Sequence, residues 1–489
     1  MLIIMKLEDG YVRLNKNYSM LTDQYELNMA NSYFESGMKD TVGVFDVFFR
    51  KVPSNGGYAL MAGVDKVIEY INNLKFSDND LAYFKSLGYG EEFINYLKDF
   101  KFTGNIYAIP DGTPVFPNEP ILTVEAPLIE AQIIETAVLS LLNGAMEHAT
   151  GARRIIEATP KNVKVMEFGA RRADGLDAAI DASLYGVMAG CSGTSNVIAA
   201  NMIGQKALGT QAHSYIESFD SEYEAFLAYA KSYPNETLLL VDTYDTLRSG
   251  IPNAIRVAKE YLIPNGYRLK GIRIDSGDLA YLSKMARKML DDAGLNDATI
   301  CLSNGLNANT IRSLTEQGAK FDSLGVGDNI SKPEGRMGCV YKEVAILDGD
   351  KRIPKIKVSE DPIKTINPDF KDLYRLYDNE TGYALADVMV RRGEKLSMDN
   401  LLIIDLKGFI NQRVLNNFRT ERLQKEIFVN GKQVFEDLSI NELKEYVDMQ
   451  MSTIYPEVKR EVNPHIYNVS GTNHYAEFKK EMIGKVKRL

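Results

Sequence analysis

The stretch GIRIDSGDLAYL, residues 271–282, contains the pattern that decides the fold class of this 489-residue chain. Its first four residues form a short apolar and β-branched run that is typical of a buried strand. A polar turn follows, and apolar residues then recur at helical spacing from Leu279 to Leu290, until Gly294 ends the pattern. A strand that passes through a turn into a helix is half of a βα unit, so the stretch predicts an α/β fold.

The same strand-to-helix rhythm recurs through the middle of the chain, between residues 155 and 350. A weaker apolar run ends near Ala212, and Pro252 stands where the first turn of another helix is expected. Spacings of roughly 25–45 residues between the runs match the size of βα units. The pattern predicts a parallel sheet covered by helices, either open or closed into a barrel. The clear strand candidates are Val163–Phe168, Thr237–Val241, Gly271–Ile274, Thr299–Leu302 and Phe321–Val326.

The two ends of the chain have a different pattern, which mixes helices with antiparallel strands. Residues 1–150 combine a helix from Asp23 to Tyr33 with hairpins punctuated by glycine and proline, and then a long buried helix. Residues 351–489 contain a hairpin around Asn430-Gly431, followed by amphipathic helices. We therefore expect a central α/β domain over 151–350 and a second, α+β domain that the two ends build together.

Composition and charge narrow the classes of function. The net charge of −9 argues against nucleic acid as a partner, because neutralising a phosphate backbone needs a basic surface. The longest uncharged stretch, 186–204, contains four glycines and several polar side chains, so it would make a poor membrane span. The three cysteines, Cys191, Cys301 and Cys339, are widely spaced and form no CxxC pair. This usage is typical of a reduced cytoplasmic protein without structural zinc.

Polar residues follow nearly every predicted strand of the middle section. Because the carboxyl ends of parallel strands meet at one edge of a sheet, we expect these residues to form one active site. They are Gly169, Arg171 and Arg172, then His213, Asp242 and Asp245, then Arg273, Asp275 and Asp278, then Ser303, Asn304 and Gly305, and finally Gly325, Gly327 and Asp328.

Each of these motifs has a functional interpretation and a structural alternative. The glycines of GVG at 325–327 could hold a phosphate with backbone amides, or could form a plain turn. Arg273 and Asp275 lie on the same face of a strand, either as catalytic groups or as a structural ion pair. Asp242 and Asp245 could hold Mg²⁺ through water, or could serve as turn and cap residues, and the cap is favoured for Asp245.

Histidine is rare in this chain, which contains four. His148 lies in a predicted helix, where a structural role is expected, and His465 and His474 lie in the polar C-terminal part. His213 follows a strand and precedes a helical pattern. A histidine in that place is a candidate catalytic residue.

Taken in order along the whole chain, the motifs resemble those of the nicotinate phosphoribosyltransferase family. An ordered set of this kind is highly specific. The motifs are LTDQYEL at 21–27, EFGARR at 167–172, GTSN at 193–196, TQAHS at 210–214, RIDSGD at 273–278, GVG at 325–327, GCVYK at 338–342, KIKVSE at 355–360, YRLY at 374–377 and NPHIY at 463–467.

The resemblance implies a fold, a reaction and an assembly. The expected fold is an irregular, incomplete TIM-like α/β barrel beside a second α+β domain formed by the N- and C-terminal parts. The expected reaction joins nicotinate to 5-phosphoribosyl-1-pyrophosphate and yields nicotinate mononucleotide and pyrophosphate, the entry step of NAD salvage. Coupled ATP hydrolysis passes through a phosphorylated histidine, which by resemblance is His213, and Mg²⁺ is the expected cofactor. The enzyme is expected to act as a homodimer with shared active sites.

The resemblance also implies which residues bind nicotinate. Phe168 and Tyr25 of the partner subunit would stack on the two faces of the pyridine ring. Arg273 would pair with the carboxylate, a task suited to a planar guanidinium, and Arg171 would support the ring or the ribose side. Ser195 stands near a position where nicotinamide-specific relatives have an aspartate, so a neutral serine favours the acid as substrate.

Other residues are expected by resemblance to bind the phosphoribosyl group. Asp275 would hydrogen-bond the ribose hydroxyls and help stabilise a cationic sugar transition state. Gly305 and Gly327 would present backbone amides to the 5′-phosphate, and Asp242 would help order Mg²⁺ and pyrophosphate. Arg50 of the partner subunit would reach the phosphates.

One residue departs from the family pattern, and several alternatives stay open. Asp328 stands where the family more often has a hydroxyl residue, which puts a negative charge near a phosphate site.

Within enzymes, the alternatives are a nicotinamide phosphoribosyltransferase, which Ser195 argues against, and a quinolinate phosphoribosyltransferase. Outside enzymes, they are a protein that only binds or senses sugar phosphates, and a phosphocarrier that would use His213 without needing Phe168 or Arg273.

Overall fold

The computed structural model describes residues 3–5, 17–349, 351–358 and 365–487 of the chain. The chain divides into two compact units. The first unit combines Met1–Thr150 with Gly335–Leu489, and the second unit is Gly151–Glu334. Within the described residues, no helix has both the length and the apolar character needed to cross a membrane.

The second unit is built around a six-stranded parallel sheet. Its strands, in chain order, are β1 (Lys164–Glu167), β2 (Gly193–Thr194), β3 (Leu238–Leu240), β4 (Gly271–Ile274), β5 (Thr299–Ser303) and β6 (Ser323–Val326). They lie side by side in the order β2-β1-β6-β5-β4-β3, and every neighbouring pair is parallel. Because β2 and β3 stand at the two edges, the strands form the expected incomplete barrel and not a closed one.

Helices connect these parallel strands, as βα units require. The helix after β4 is Leu279–Asp292. Asp278 caps its N-terminus, because the Asp278 side chain accepts the N–H of Tyr281 at 3.0 Å. It ends before Gly294, whose φ of +80° is a left-handed conformation that glycine adopts without strain. The other helical segments of this unit are Ala170–Arg172, Leu176–Met188, Val197–Met202, His213–Glu217, Glu222–Ser232, Thr246–Gly250, Ile251–Val257, Ala258–Leu262, Ile263–Asn265, Ala308–Glu316 and Asp328–Ser331.

The prediction of a strand ending near Ala212 is wrong. Residues 205–212 have no regular secondary structure. The strand that completes the sheet is instead β2 (Gly193–Thr194), which pairs with Met166–Glu167 of β1. The Thr194 hydroxyl donates a hydrogen bond to the buried carboxylate of Glu167, which fixes this two-residue strand beside β1. A strand this short depends on its partner and not on a run of apolar residues.

The helix that follows β3 starts earlier than predicted. Asp245 accepts hydrogen bonds from the N–H groups of Leu247 and Arg248 at 3.1 and 2.8 Å, so helical backbone begins at Thr246. Pro252 therefore lies past the first turn. These contacts place Asp245 in the capping role that the sequence favours.

The first unit contains two larger sheets. The seven-stranded sheet has the order Lys351–Pro354, Cys339–Asp348, Val42–Phe49, Leu122–Pro127, Asn105–Ala108, Lys425–Val429 and Lys432–Gln433. The six-stranded sheet has the order Gln412–Leu415, Leu401–Asp405, Val469–Thr472, Ala384–Arg391, Lys371–Asp378 and Phe418–Arg422. Strands from both ends of the chain are neighbours in the seven-stranded sheet, so neither end forms that sheet without the other.

Shorter elements complete the first unit. Two-stranded pairs join Ile3–Met5 with Glu436–Leu438 and Ala59–Leu60 with Pro114–Val115. A short 3-10 turn covers Pro53–Asn55. The α-helices that lie in or begin in this unit are Gln24–Glu35, Val64–Asn73, Asp78–Ser86, Glu91–Lys98, Leu128–Ile133, Glu135–Ala158, Ile440–Ser452 and Asn473–Val486.

The hairpin predicted around Asn430-Gly431 is confirmed. Phe428 pairs with Gln433, and Val429 pairs with Lys432. Both turn residues have positive φ, +50° for Asn430 and +71° for Gly431, as a two-residue hairpin turn with the right twist requires.

The second unit ends at Glu334, before the domain boundary predicted at residue 350. The strand Cys339–Asp348 pairs antiparallel with Val42–Phe49 along most of its length. Interstrand hydrogen bonds therefore hold this segment in the sheet of the first unit, although it follows the βα pattern directly in sequence.

Candidate active site

Arg273 and Asp275 lie at the carboxyl end of β4 and contact each other. The Nη2 atom of Arg273 lies 3.5 Å from Oδ2 of Asp275, and the two side chains are 15% and 26% exposed. Ser303, at the end of the neighbouring β5, joins them. Arg273 Nε donates to its hydroxyl at 3.1 Å, and the hydroxyl donates to Asp275 Oδ1 at 2.5 Å. Arg273 and Asp275 therefore form an ion pair whose side chains are partly exposed, so both charges are accessible to a ligand.

His213 lies beside this pair, as the first residue of the helix His213–Glu217. Its Nδ1 atom lies 3.1 Å from Oγ1 of Thr243, and its Nε2 atom lies 3.8 Å from Oδ2 of Asp275. The imidazole thus has a polar neighbour near each ring nitrogen, of which Thr243 is within hydrogen-bond distance. With 40% of the side chain exposed, the ring is accessible to a small molecule.

Asp242, which follows β3, contacts the turn after β4. Its Oδ2 atom accepts hydrogen bonds from the backbone N–H of Asp275 at 3.0 Å and from the hydroxyl of Ser276 at 2.5 Å. Its Oδ1 atom is buried and has no hydrogen-bond partner among the described residues. An unused carboxylate oxygen suits a hydrated Mg²⁺. Within the described residues, no group of three or more histidine, cysteine, aspartate or glutamate side chains is placed to hold a metal ion.

Phe168 lies at the end of β1, with its ring centre 6.0 Å from the guanidinium carbon of Arg273. Its backbone N–H donates to the carbonyl of Val326 at 2.7 Å, which fixes the residue against β6. A Cβ atom placed on Gly325 would lie 2.6 Å from the Phe168 ring. The glycine in β6 therefore makes room for the aromatic ring, a role in the GVG motif that the sequence analysis did not assign.

Replacing Gly325 by Ala is expected to displace the Phe168 ring. The new methyl group would overlap it, and overpacking of this kind costs roughly 1–3 kcal/mol. We expect the KM for the aromatic substrate to rise by about tenfold or more, with a smaller change for the phosphorylated substrate. Steady-state kinetics with each substrate varied in turn measures this. The matched control is Gly484→Ala, because a Cβ there meets nothing within 4 Å; equal effects of both variants would contradict the steric argument.

Glu167 is a residue of this site that the sequence analysis missed. Its buried carboxylate accepts hydrogen bonds from the N–H of Gly169 and from the hydroxyl of Thr194. Its backbone carbonyl accepts the N–H of Ser195 at 2.9 Å. Glu167 therefore connects the segment that carries Phe168 with the segment that carries Ser195. The half-buried Ser195 is positioned next to β1 by this contact.

The loops after β5 and β6 contain the glycines predicted to bind phosphate. Asn304 and Gly305 both have positive φ, +94° and +57°, so the chain turns sharply at the end of β5. Gly327 immediately precedes the short helix Asp328–Ser331 at the end of β6. Because β5 and β6 are parallel neighbours, these two loops lie at the same edge of the sheet.

The charge of Asp328, the departure from the family pattern, is paired with a nearby cation. Its Oδ1 atom lies 3.2 Å from Nε of Arg172, in an ion pair whose side chains are more than half exposed. The pair offsets part of the negative charge beside the predicted phosphate loop. Arg171, the preceding residue, is exposed.

Comparison with known proteins decides the family. The models of the nicotinate phosphoribosyltransferase N-terminal domain, the nicotinate phosphoribosyltransferase family and the C-terminal domain match residues 20–143, 163–381 and 370–479. The chain is 41% identical over 476 residues to the nicotinate phosphoribosyltransferase of Bacillus subtilis, which covers 96% of each chain. This chain belongs to the nicotinate phosphoribosyltransferase family. The family predicted from the motifs is confirmed.

Other nicotinate phosphoribosyltransferases agree in sequence and in fold. The enzyme of Dictyostelium discoideum is 34% identical over 512 residues, with 93% of this chain and 86% of that protein covered. The crystal structure of human nicotinic acid phosphoribosyltransferase superposes with a TM-score of 0.84, at 26% identity, and covers 94% of this chain and 99% of the human chain. The α/β fold predicted from the sequence is confirmed by this likeness.

Two residues that the family resemblance places in the active site, Tyr25 and Arg50, lie in the first unit. Tyr25 is 48% exposed on the helix Gln24–Glu35, and partial burial together with the carboxylates of Glu135 and Glu26 raises its pKa. The Nε atom of Arg50 is buried and has no hydrogen-bond partner among the described residues. Their predicted role involves the partner subunit, and it stays a prediction.

Arg50 lies in a cationic region of the first unit. Burial, followed by the charges of Lys357 and Arg50, lowers the pKa of Lys342, while Glu135 opposes the shift. Two of these cations belong to motifs that the sequence analysis singled out, GCVYK and KIKVSE. Mutual repulsion among cations is relieved when an anion binds between them.

Proposed function

We propose that this protein joins nicotinate to 5-phosphoribosyl-1-pyrophosphate, giving nicotinate mononucleotide and pyrophosphate, and that ATP hydrolysis is coupled to this transfer through His213. The observation that carries the proposal is the cluster of Arg273, Asp275 and His213 beside the ring of Phe168. An aromatic face, a guanidinium, a carboxylate and an imidazole at one sheet edge match the parts of this reaction.

The nicotinate subsite in this proposal is formed by Phe168 and Arg273. The pyridine ring would lie against Phe168, while the guanidinium binds the carboxylate and turns the ring nitrogen toward the sugar. The distance of 6.0 Å between the Phe168 ring centre and the guanidinium carbon is compatible with one flat molecule that contacts both. Arg171 would add a second cation on the ring or ribose side, and Ser195 would contribute an uncharged wall.

The sugar subsite is formed around Asp275. The ring nitrogen of nicotinate attacks the anomeric carbon while the bond to pyrophosphate breaks, so positive charge develops on the ribose. The Asp275 carboxylate, oriented by Ser303 and Arg273, would accept hydrogen bonds from ribose hydroxyls and stabilise that charge. Backbone amides at Gly305 and Gly327 would bind the 5′-phosphate.

Asp242 is the residue proposed to hold Mg²⁺ near the leaving pyrophosphate, because its Oδ1 atom lacks a partner in the described residues. When bound, the ion would neutralise charge that accumulates on the departing pyrophosphate. Arg50 of the partner subunit would add cationic charge to the same phosphates. A homodimer with shared sites follows from that assignment and from Tyr25 of the partner subunit, which would cover the second face of the pyridine.

His213 would carry phosphate between ATP and water. A ring nitrogen attacks the γ-phosphorus, the bond to ADP breaks, and ADP leaves; water later cleaves the P–N bond and releases inorganic phosphate. While attached, the phosphoryl group would stand beside Arg273 and Asp275, since Nε2 of His213 is 3.8 Å from Asp275. The added negative charge would change how strongly the cluster holds its anionic substrates. A cytoplasmic location suits this use of ATP and the three buried cysteines, which form no disulfide among the described residues.

The test of this proposal supplies the protein with Mg²⁺, 5-phosphoribosyl-1-pyrophosphate and nicotinate, nicotinamide or quinolinate in turn, with and without ATP. Chromatography identifies the nucleotide products. We expect nicotinate mononucleotide from nicotinate, in larger amount with ATP, and little product from the other two pyridines. Absence of nicotinate mononucleotide from every nicotinate reaction would overturn the proposal.

Replacing His213 by Ala is expected to abolish stimulation by ATP. The ratio of rates with and without ATP should fall to about one, while slow transfer survives because Phe168, Arg273 and Asp275 are unchanged. Rates of nicotinate mononucleotide formation with and without ATP measure this ratio. The control is His474→Ala, because His474 is a largely exposed partner of Glu394 in the first unit. Full ATP stimulation of the His213 variant would show that another group carries the phosphate.

A further inference from the structure

The first unit contains a cavity of about 1370 Å³ that no step of the proposed reaction uses. It is large enough for an organic molecule, since pockets for such ligands commonly measure about 300–1,000 Å³. Its described lining residues all belong to the first unit. Among the described charged side chains that line it, five are lysine or arginine and three are aspartate or glutamate. This balance favours an anionic ligand.

Lys479 is the most informative of these side chains, because it is buried and has no carboxylate partner among the described residues. Only 4% of the residue is exposed. Its Nζ atom donates to two neutral oxygens, Oδ1 of Asn367 at 2.7 Å and the carbonyl of Leu406 at 2.9 Å. An ammonium group has three donors, so one N–H remains unused in these contacts. In the part of the chain that the structure describes, no carboxylate forms an ion pair with it.

The surroundings of Lys479 make its charge costly. Burial, followed by the charges of Lys371 and Lys407, lowers the pKa of Lys479 to about 8, while Asp405 opposes the shift. Lys371 already forms an ion pair with Asp46, so that carboxylate is occupied. A buried ammonium without a counter-charge is stabilised when an anion binds to it.

A second unused donor lies on the same wall. Asn118 Nδ2 is buried without a hydrogen-bond partner among the described residues, and Asn118 lines the cavity. Asn367 links it to Lys479, because its Nδ2 atom donates to the carbonyl of Asn118 at 3.4 Å while its Oδ1 accepts from Lys479. Asn118 and Lys479 therefore contact the same side-chain amide and line the same cavity. Two unused N–H donors in the lining of one cavity, one of them charged, match a group with several anionic oxygens.

The rest of the lining is suited to an apolar body. Phe409, whose ring centre lies 5.9 Å from Lys479 Nζ, is joined in the lining by Phe48, Ile366, Leu406 and Ile483. We propose that this cavity binds an organic anion whose acidic group contacts Lys479 and Asn118 and whose aromatic or aliphatic body packs against Phe409. The ligand would be a molecule other than the reactants, bound in the first unit.

A fluorescence titration of the full-length protein with anilinonaphthalene sulfonate tests the proposal, since this probe joins an anionic group to an aromatic body. Nicotinate and 5-phosphoribosyl-1-pyrophosphate are present at saturation, so that the reaction site is occupied. We expect one saturable site per chain, and inorganic phosphate alone should not displace the probe. In Lys479→Met the dissociation constant should rise by about tenfold or more, because a charge-assisted hydrogen bond is lost.

The variant Asn118→Asp provides an independent reading, because it keeps the size of the side chain while a new negative charge repels the probe. The matched control is Lys485→Met on the same helix, an exposed lysine that pairs with Glu481. Circular dichroism and nicotinate mononucleotide formation establish that each variant is folded and active. Equal probe affinity in all three variants, or no saturable binding to the wild-type chain, would overturn the proposal. The reading does not depend on the proposed reaction, since it measures binding and not turnover.

Discussion

Replacing Arg273 by Gln is expected to raise the KM for nicotinate by about 10²–10³-fold, because losing one partner of a close charge pair costs roughly 3–4 kcal/mol. The guanidinium is held by Ser303 and lies 3.5 Å from Asp275, so it is already oriented before a ligand arrives. Arg273→Lys should recover only part of the loss, since an ammonium keeps the charge but not the planar fork of donors. Steady-state kinetics with nicotinate varied at saturating 5-phosphoribosyl-1-pyrophosphate measures both variants.

The control for Arg273 is Arg268→Gln, which removes an exposed arginine shortly before β4. Arg268 forms an ion pair with Asp297 at 2.5 Å, and exposed pairs of this kind contribute little. We expect its kinetics to match those of the wild type. If Arg273→Gln lowered the affinity for nicotinate and nicotinamide equally, the guanidinium would not be the group that recognises the carboxylate of nicotinate.

The strands that form the site could be predicted because each is an apolar run followed by polar residues. The sequence places β4 at its observed bounds, and the runs for β1, β3, β5 and β6 contain the observed strands or end within one residue of them. The sequence could not reveal β2, because a strand of two residues is stabilised by Glu167 and not by its own composition. The sequence instead predicts a strand near Ala212, where a weak apolar run ends, and that prediction is wrong.

Within the site, the sequence identifies charged and aromatic residues more readily than the small polar ones that orient them. Arg273, Asp275 and His213 are unusual residue types at strand ends, and the structure brings them together. Ser303 and Thr243 are common residue types, and only the pairing of β5 with β4 and the position of β3 next to β4 place them beside the charged groups. The sequence does place Ser303 among the polar residues at this edge, but its contacts with Arg273 and Asp275 depend on the pairing of β4 with β5.

Replacing Asp275 by Asn is expected to lower kcat by about 10³-fold while the KM values change much less. The carboxylate is proposed to stabilise positive charge that exists only in the transition state, and a contact of that kind contributes roughly 3–4 kcal/mol. An amide of the same shape keeps the hydrogen bond from Ser303, yet it faces Arg273 and His213 without a negative charge. Pre-steady-state measurement of nicotinate mononucleotide formation separates this chemical step from product release.

The control for Asp275 is Asp245→Asn, a change of the same chemistry at the end of the adjacent β3. Asp245 accepts the N–H groups of Leu247 and Arg248, and asparagine caps a helix about as well as aspartate. Its charge is therefore dispensable if it is only a cap, and we expect turnover close to that of the wild type. Loss of turnover in Asp245→Asn would instead place a second carboxylate in the chemistry. An unchanged kcat in Asp275→Asn would remove the carboxylate from the transition state and leave it as a partner of Arg273 alone.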